Sequence, residues 1–197
     1  MLNGMKAVIL ALGVAIPQGV LAQDWAGGYA GFTASTNNGS DDQIFSGLLI
    51  DTFDLKGEQV GVFAGYNFQN GNLVYGAELT YATGDIQYPA PEGFLVGRTI
   101  EVKGRLGYAA GKALVFGSLG LLASDKFYGV GPGSGPFTAN GMSFGLGVDV
   151  MVTDRLFLGA EIQRRNSSVD EGDIPLVPGQ ANDHKINSFT LRLGMNF

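Results

Sequence analysis

Residues 59–83 read QVGVFAGYNFQNGNLVYGAELTYAT. Before the break, Val60, Val62, Ala64, Tyr66 and Phe68 recur at every second position; after it, Tyr75, Ala77, Leu79 and Tyr81 do the same. Side chains of a β-strand point alternately to two faces, so a period of two predicts two strands, each apolar on one side. Between them lies Gln69-Asn70-Gly71-Asn72, and Asn-Gly is the pair that best tolerates the two positive φ angles of a type I′ turn. The stretch predicts a tight β-hairpin folded at Asn70-Gly71.

The same alternation returns at 24–34, 98–108, 113–123, 140–152, 155–165 and 186–197, which with the hairpin makes eight segments. Each is close to the ~9–11 residues that a tilted strand needs to cross a bilayer. Their connections alternate in length. Those at 69–72, 109–112 and 153–154 are tight, whereas 35–58, 84–97, 124–139 and 166–185 are long, polar and rich in Gly, Pro, Ser, Asp and Asn. All tight turns then lie at one end of a meander, and an even strand number brings the last strand beside the first, where closure leaves no unpaired edge. The predicted fold is all-β: a closed eight-stranded antiparallel up-and-down transmembrane β-barrel with short periplasmic turns and four long extracellular loops.

The start of the chain sets the compartment. Met5-Lys6 gives a positive start, Ala7 to Ile16 is an unbroken apolar run, and Val20-Leu21-Ala22 offers the small residues that a signal peptidase accepts before Gln23. The run is far shorter than the ~20 residues of a spanning helix. Residues 1–22 are therefore expected to be a cleaved secretory signal and residues 23–197 the barrel, with Met5 as an alternative start to Met1. The chain has no cysteine, which excludes a lipid-anchored lipoprotein and a disulfide-stapled domain. With 32 glycines, 15% charged residues and a net charge of −6 in which basic residues form no cluster, the sequence gives no support to nucleic-acid binding.

Residue types distinguish the two faces. The apolar face carries the hairpin residues above, then Ile100, Val102, Leu106 and Tyr108; Phe144, Leu146, Val148 and Val150; Leu156, Leu158, Ala160 and Ile162; and Phe189, Leu191, Leu193, Met195 and Phe197. No charge interrupts it until Arg164, and Tyr66, Phe68, Tyr75, Tyr81, Tyr108 and Phe197 fall toward strand ends, where an interfacial girdle belongs. The opposite face alternates glycine with Glu78, Glu101, Asp149 and Glu161 against Lys103, Arg105, Arg165 and Arg192. Glycine weakens a water-facing strand but makes room in a narrow lumen, and four charges of each sign suit a desolvated interior. These eight are expected to form a barrel-interior charge network, with Phe63, Phe116, Met151 and Phe157 packed around it. Glycine-rich segments 24–34 and 113–123 do not declare their faces.

Trp25 to Gly31 (WAGGYAG), Gly61 to Leu79, Gly104 to Ala110 (GRLGYAA) and the closing Leu191 to Phe197 resemble the small porin-family or OmpA-like outer-membrane β-barrels of Gram-negative bacteria, the group that includes opacity-type surface antigens. The resemblance covers the whole of residues 23–197. It implies location in the cell outer membrane, contact with outer-membrane lipid and lipopolysaccharide, and a role for Phe189, Leu191, Leu193, Met195 and Phe197 as the signal read by the outer-membrane assembly machinery. Met195 departs from the pattern, since the family often has an aromatic residue two before the terminal Phe. Members are variously structural, adhesive, immunogenic or weakly pore-forming, so the resemblance specifies architecture more than activity.

Chemistry has few candidates. His184 is the single histidine, beside Asp183 and four residues before Ser188, in the region expected to be the fourth loop. A hydrolase would need that histidine to activate a serine or a water, but one loop histidine is more often a solvated polar residue. Gly129 to Pro136 (GVGPGSGP) lacks the Lys-Ser/Thr of a phosphate loop, and Asn166-Ser167-Ser168 matches a glycosylation sequon by chance. No catalytic, cofactor or metal site is expected. The first and fourth long connections are acidic through Asp41, Asp42, Asp51, Asp54 and Glu58 and through Asp170, Glu171, Asp173 and Asp183, so divalent cations are conceivable partners there. The expected function is a non-enzymatic barrel that supports the envelope and presents acidic loops. The alternatives are a narrow diffusion channel and, third, an enzyme acting on lipid or peptide.

Overall fold

The computed structural model describes residues 23–87, 94–128, 135–169 and 180–197. Nine strands follow one another: β1 (Gly27–Phe45), β2 (Leu48–Asn70), β3 (Leu73–Thr83), β4 (Ile86–Gln87), β5 (Phe94–Ala110), β6 (Ala113–Tyr128), β7 (Gly135–Met151), β8 (Leu156–Val169) and β9 (Gln180–Asn196). All pairings are antiparallel and, apart from β3 and β4, each strand pairs with its sequence neighbours; β1 pairs with both β2 and β9, which closes the sheet. The two-residue β4 resumes the place of β3 between β2 and β5 after a break at Gly84, whose φ is 144°. Nine strands therefore make eight staves of one closed barrel.

The hairpin at 59–83 forms with its turn shifted by one residue. Asn70 pairs with Leu73, so Gly71-Asn72 is the loop, and only Gly71 has a positive φ, at 60°. Glycine alone at the first central position is the signature of a type II′ turn rather than the type I′ turn that Asn70-Gly71 predicts. Gly111-Lys112 repeats the arrangement, with Gly111 at φ 58°. The third turn runs from Val152 to Arg155, where the Thr153 hydroxyl accepts from the backbone N–H of Leu156 at 2.9 Å.

The largest correction concerns the long connections. Residues 35–58 are not a loop. They belong to β1 and β2, which pair from Gly27↔Asn67 out to Phe45↔Leu48 around a two-residue turn, Ser46-Gly47, at φ 50° and 79°. β2 alone has 23 residues, about twice what a bilayer crossing takes. The other three connections shrink as well, because β5, β6, β7, β8 and β9 all run on past their expected ends. What is left of them, residues 88–93, 129–134 and 170–179, lies outside the described residues, and with it most of the Gly129–Pro136 segment. Beyond the bilayer the outward face no longer needs apolar side chains, so Asn37-Asn38-Gly39-Ser40-Asp41-Asp42 carries no alternation. Its backbone groups are nevertheless paired on both sides, to β2 and to β9.

Inside, the barrel is layered. Near the tight turns, Trp25, Tyr29, Phe63, Leu114, Phe116, Met151 and Phe157 form one apolar cluster, and Leu55, Ile86, Val96 and Ile186 form another toward the opposite end. Charged side chains occupy the space between. The glycines that face inward make room for rings and charges alike: a Cβ at Gly147 would collide with the Phe116 ring, and one at Gly159 with the Asp149 carboxylate. β1 and β6, whose faces the sequence leaves open, turn Tyr29 and Asn37, and Leu114, Phe116 and Ser118, to the interior.

Candidate functional site: a closed ion network in an apolar sleeve

The eight charged residues singled out from the sequence all point inward and are buried. Period two puts them there: Glu78 lies on β3 between Ala77 and Leu79, and Lys103 and Arg105 on β5 between Val102 and Leu106, each flanked by exposed apolar side chains. Six of the eight converge. Arg192 grips Glu78 with both Nη atoms, at 3.0 and 2.6 Å, and reaches Asp149 at 3.2 Å and Glu161 at 3.3 Å. Arg105 donates to Glu78 at 3.1 Å and to Asp149 at 2.6 Å, while Lys103 bridges Glu161 at 2.9 Å and Glu78 at 3.1 Å. Three acids meet three cations, so the cluster is neutral. Aromatic faces bound it: the Arg105 guanidinium lies 3.8 Å from the Phe116 ring centre, and that of Arg192 4.3 Å from the Phe63 centre.

Glu101 and Arg165 stand apart from this cluster. Glu101 accepts from Gln163 at 2.7 Å and from Ser143. Arg165 donates to Gln59 at 3.2 Å, to Ser188 at 2.7 Å and to Asn37. Each is solvated by neutral amides and hydroxyls instead of an opposite charge. Several members of the interior are uncharged and carry no sign in the sequence beyond sharing the inward period: Tyr29, whose hydroxyl donates to Glu78 at 3.1 Å, and Ser118, which donates to Glu161 at 2.7 Å. A polar cavity of about 30 Å³ lies beside the network, lined among others by Thr33, Gln59, Thr99 and Gln163.

His184 is on β9, not in a loop. Its side chain is fully buried, with Nε2 3.1 Å from Asp41 Oδ1 on the neighbouring strand. Asp183, adjacent in sequence, lies on the opposite face, and Ser188 is engaged with Asn37 and Arg165, so His184 and Ser188 are not brought together. The acidic residues at the rim disperse likewise. Asp41 turns inward, Asp51 accepts from the Thr52 N–H at 2.8 Å, and Asp42 receives Lys185 Nζ at 2.7 Å. That hydrogen bond holds the Asp42 carboxyl below its ordinary range and Lys185 above its own. Asp170, Glu171 and Asp173 lie outside the described residues, and among the described residues no group of three His, Asp or Glu side chains could hold a metal ion.

The outer wall is the reverse of the interior. Leu79, Leu106, Leu146, Ile162, Leu191 and their neighbours form an apolar belt, with Phe189, Leu193, Met195 and Phe197 exposed in line along β9. At the turn end Tyr66, Phe68 and Tyr75 pack in series, the first pair tilted with ring centres 5.1 Å apart and the second stacked at 5.6 Å. A closed antiparallel sheet, apolar outside and ionic inside, is an outer-membrane β-barrel.

Comparison with known proteins agrees. The chain is 29% identical over 179 residues, 89% of its length and 80% of the relative's, to a 22 kDa outer membrane protein of Rhizobium leguminosarum bv. viciae. Its fold is similar to that of Neisserial surface protein A, with a TM-score of 0.56 at 15% identity over 87% of this chain and 98% of that one. The attachment invasion locus protein of Yersinia pestis is similar too, with a TM-score of 0.51 at 12% identity over 87% and 99%. The family model for the outer membrane protein beta-barrel domain matches residues 7–197, and the chain belongs to that family. The protein is located in the outer membrane.

Proposed function

We propose that this protein is a non-enzymatic, non-conducting element of the outer membrane, exported through residues 1–22, whose strands carry a polar rim beyond the lipid. The observation that carries this reading is the threefold filling of the lumen. Trp25 and Phe157 pack 5.8 Å apart near the turns, the six-residue ion network crosses the middle, and Leu55, Ile86, Val96 and Ile186 pack above it. An interior cavity of about 30 Å³ is room for about two waters, far from a continuous column. Burial of His184 against Asp41, away from Ser188, speaks against the hydrolase alternative. The outward side chains of β9, from Phe189 to Phe197, are proposed to be the segment read by the outer-membrane assembly machinery. Planar-bilayer recording of the purified, refolded protein tests the leading reading: no stable current steps are expected, and reproducible open channels would establish the diffusion pore in its place.

A further inference from the structure

β1 and β2 go on pairing to Phe45↔Leu48 after β4 has met β2 at Lys56 and Gly57, so among the described residues their hairpin outreaches its neighbours on that side. Val60 is the last exposed apolar residue of the belt on β2. At ~3.3 Å per residue and a tilt of ~40°, the way from Val60 to Leu48 lifts the tip roughly 30 Å above it. The rim in between is polar, but the tip is not: Phe45 is 43% exposed, Leu48 72% and Leu49 63%. Large apolar side chains gathered in water at one end of an element mark a contact surface.

The shape of the tip says what could cover it. Cross-strand partners share a face, so Phe45 and Leu48 lie together, whereas Leu49 follows Leu48 and points the other way. A groove on a protein would bury one face and leave the other wet. A bilayer surrounds the tip and buries both, and the turn itself, Ser46-Gly47, brings no charge that would have to be dehydrated. Charge then selects the lipid. Behind the tip Asp51, Asp54 and Glu58 are exposed on β2 against Lys56 alone, and Lys185 is already held by Asp42 at 2.7 Å. An acidic collar is repelled by an anionic membrane surface and tolerated by a neutral one. We propose that the β1–β2 tip inserts Phe45, Leu48 and Leu49 into the outer leaflet of a facing zwitterionic phospholipid bilayer, one other than the membrane that the barrel spans. The proposal rests on the lipid-spanning orientation of the barrel and not on its closed interior, so current steps in a planar bilayer would leave it standing.

Co-flotation of barrel-bearing nanodiscs with phosphatidylcholine vesicles measures the insertion, with folding checked by heat-dependent gel mobility. Wild-type discs should float with the vesicles and empty discs should not. Leu48→Asn/Leu49→Asn should weaken the binding by about tenfold or more, since two large apolar side chains are lost from the inserted tip. Phosphatidylglycerol added to the vesicles should weaken wild type, and Asp51→Asn/Asp54→Asn should reduce that sensitivity. The chain has no cysteine, so a fluorophore on Ser46→Cys reports the tip alone; its emission should shift to the blue on contact and be quenched by chain-brominated phosphatidylcholine. Wild-type discs that ignore phosphatidylcholine vesicles, or undiminished binding by the leucine variant, overturn the proposal. So does equal binding to anionic vesicles. Discs that pair only with other barrel-bearing discs, through the same leucines, overturn it as well and make a second copy of the chain the occupant.

Discussion

Replacing Glu78 with glutamine keeps the shape of the side chain and removes its charge. In the native barrel that carboxylate receives Arg192 at 2.6 Å, Arg105 at 3.1 Å and Lys103 at 3.1 Å, all buried. With Glu78 neutral, three cations face only Asp149 and Glu161, and one positive charge is left in a desolvated lumen. Breaking a buried ion pair from one side costs ~3–5 kcal/mol, roughly two to four powers of ten in the folding equilibrium. Glu101→Gln is the internal comparison. Its partners are the Gln163 amide and the Ser143 hydroxyl, which a neutral acceptor still satisfies, so a loss of about 1 kcal/mol is expected. Urea titration of the refolded protein, followed through Trp25, the single tryptophan and a buried neighbour of Phe157, reads both. The double variant Glu78→Gln/Arg192→Gln restores neutrality and should lose clearly less than the sum of its parts. A Glu78→Gln barrel within about 1 kcal/mol of wild type, with additive single and double variants, would refute the claim that these charges act as one unit.

Leu191 and Arg192 are adjacent on β9 but face lipid and lumen respectively. Leu191→Arg should block insertion into vesicles, since arginine facing lipid near the midplane costs ~2–4 kcal/mol. Arg192→Leu should insert but unfold at lower urea, and identical behaviour of the two would reverse the assignment of faces. Deleting Phe197 should lower the amount of folded barrel in cells more than it lowers refolding yield in detergent; equal losses would reduce it to one residue of the girdle. The Asp42–Lys185 bridge sets a pH window at the rim. Asp42 is depressed, so its contribution is complete above the ordinary carboxylate value of about 3.9 and is lost as pH falls through its lower folded value; Lys185 is raised, so its contribution is complete below about 10.4 and is lost as pH rises through its higher folded value. Amide protection at residues 40–43, corrected for intrinsic exchange, should be flat between about pH 5 and 9, and should fall to one lower level throughout in Asp42→Asn.

Legibility followed the bilayer. Where lipid presses on one face, as along Val60 to Phe68, every second residue must be apolar, and parity alone places Glu78, Lys103, Arg105 and Arg192 inside. Beyond the lipid that constraint lapses. The stretch from Asn37 to Asp42 has the composition of a loop while being paired on both sides, and His184, which reads as a loop residue, is buried in a strand. Parity also says nothing about height along the axis. Eight charges on one face read as one network, yet Arg165 sits four residues further along β8 than Glu161 and finds amides in place of carboxylates. Tyr29 was hidden because glycines on both sides of it blur the alternation of β1.

The ion network also works as a register check on assembly. If β5 slid by a single residue against β3 and β6, its side chains would exchange faces, and Glu101, Lys103 and Arg105 would turn together toward hydrocarbon while Val102 and Leu106 entered the lumen. Each basic residue so exposed near the midplane costs ~2–4 kcal/mol, added to the partners it abandons. A misaligned barrel is then not a slightly weaker version of the native one but a species the membrane expels. The same residues that fill the lumen let the bilayer reject wrong pairings before they persist.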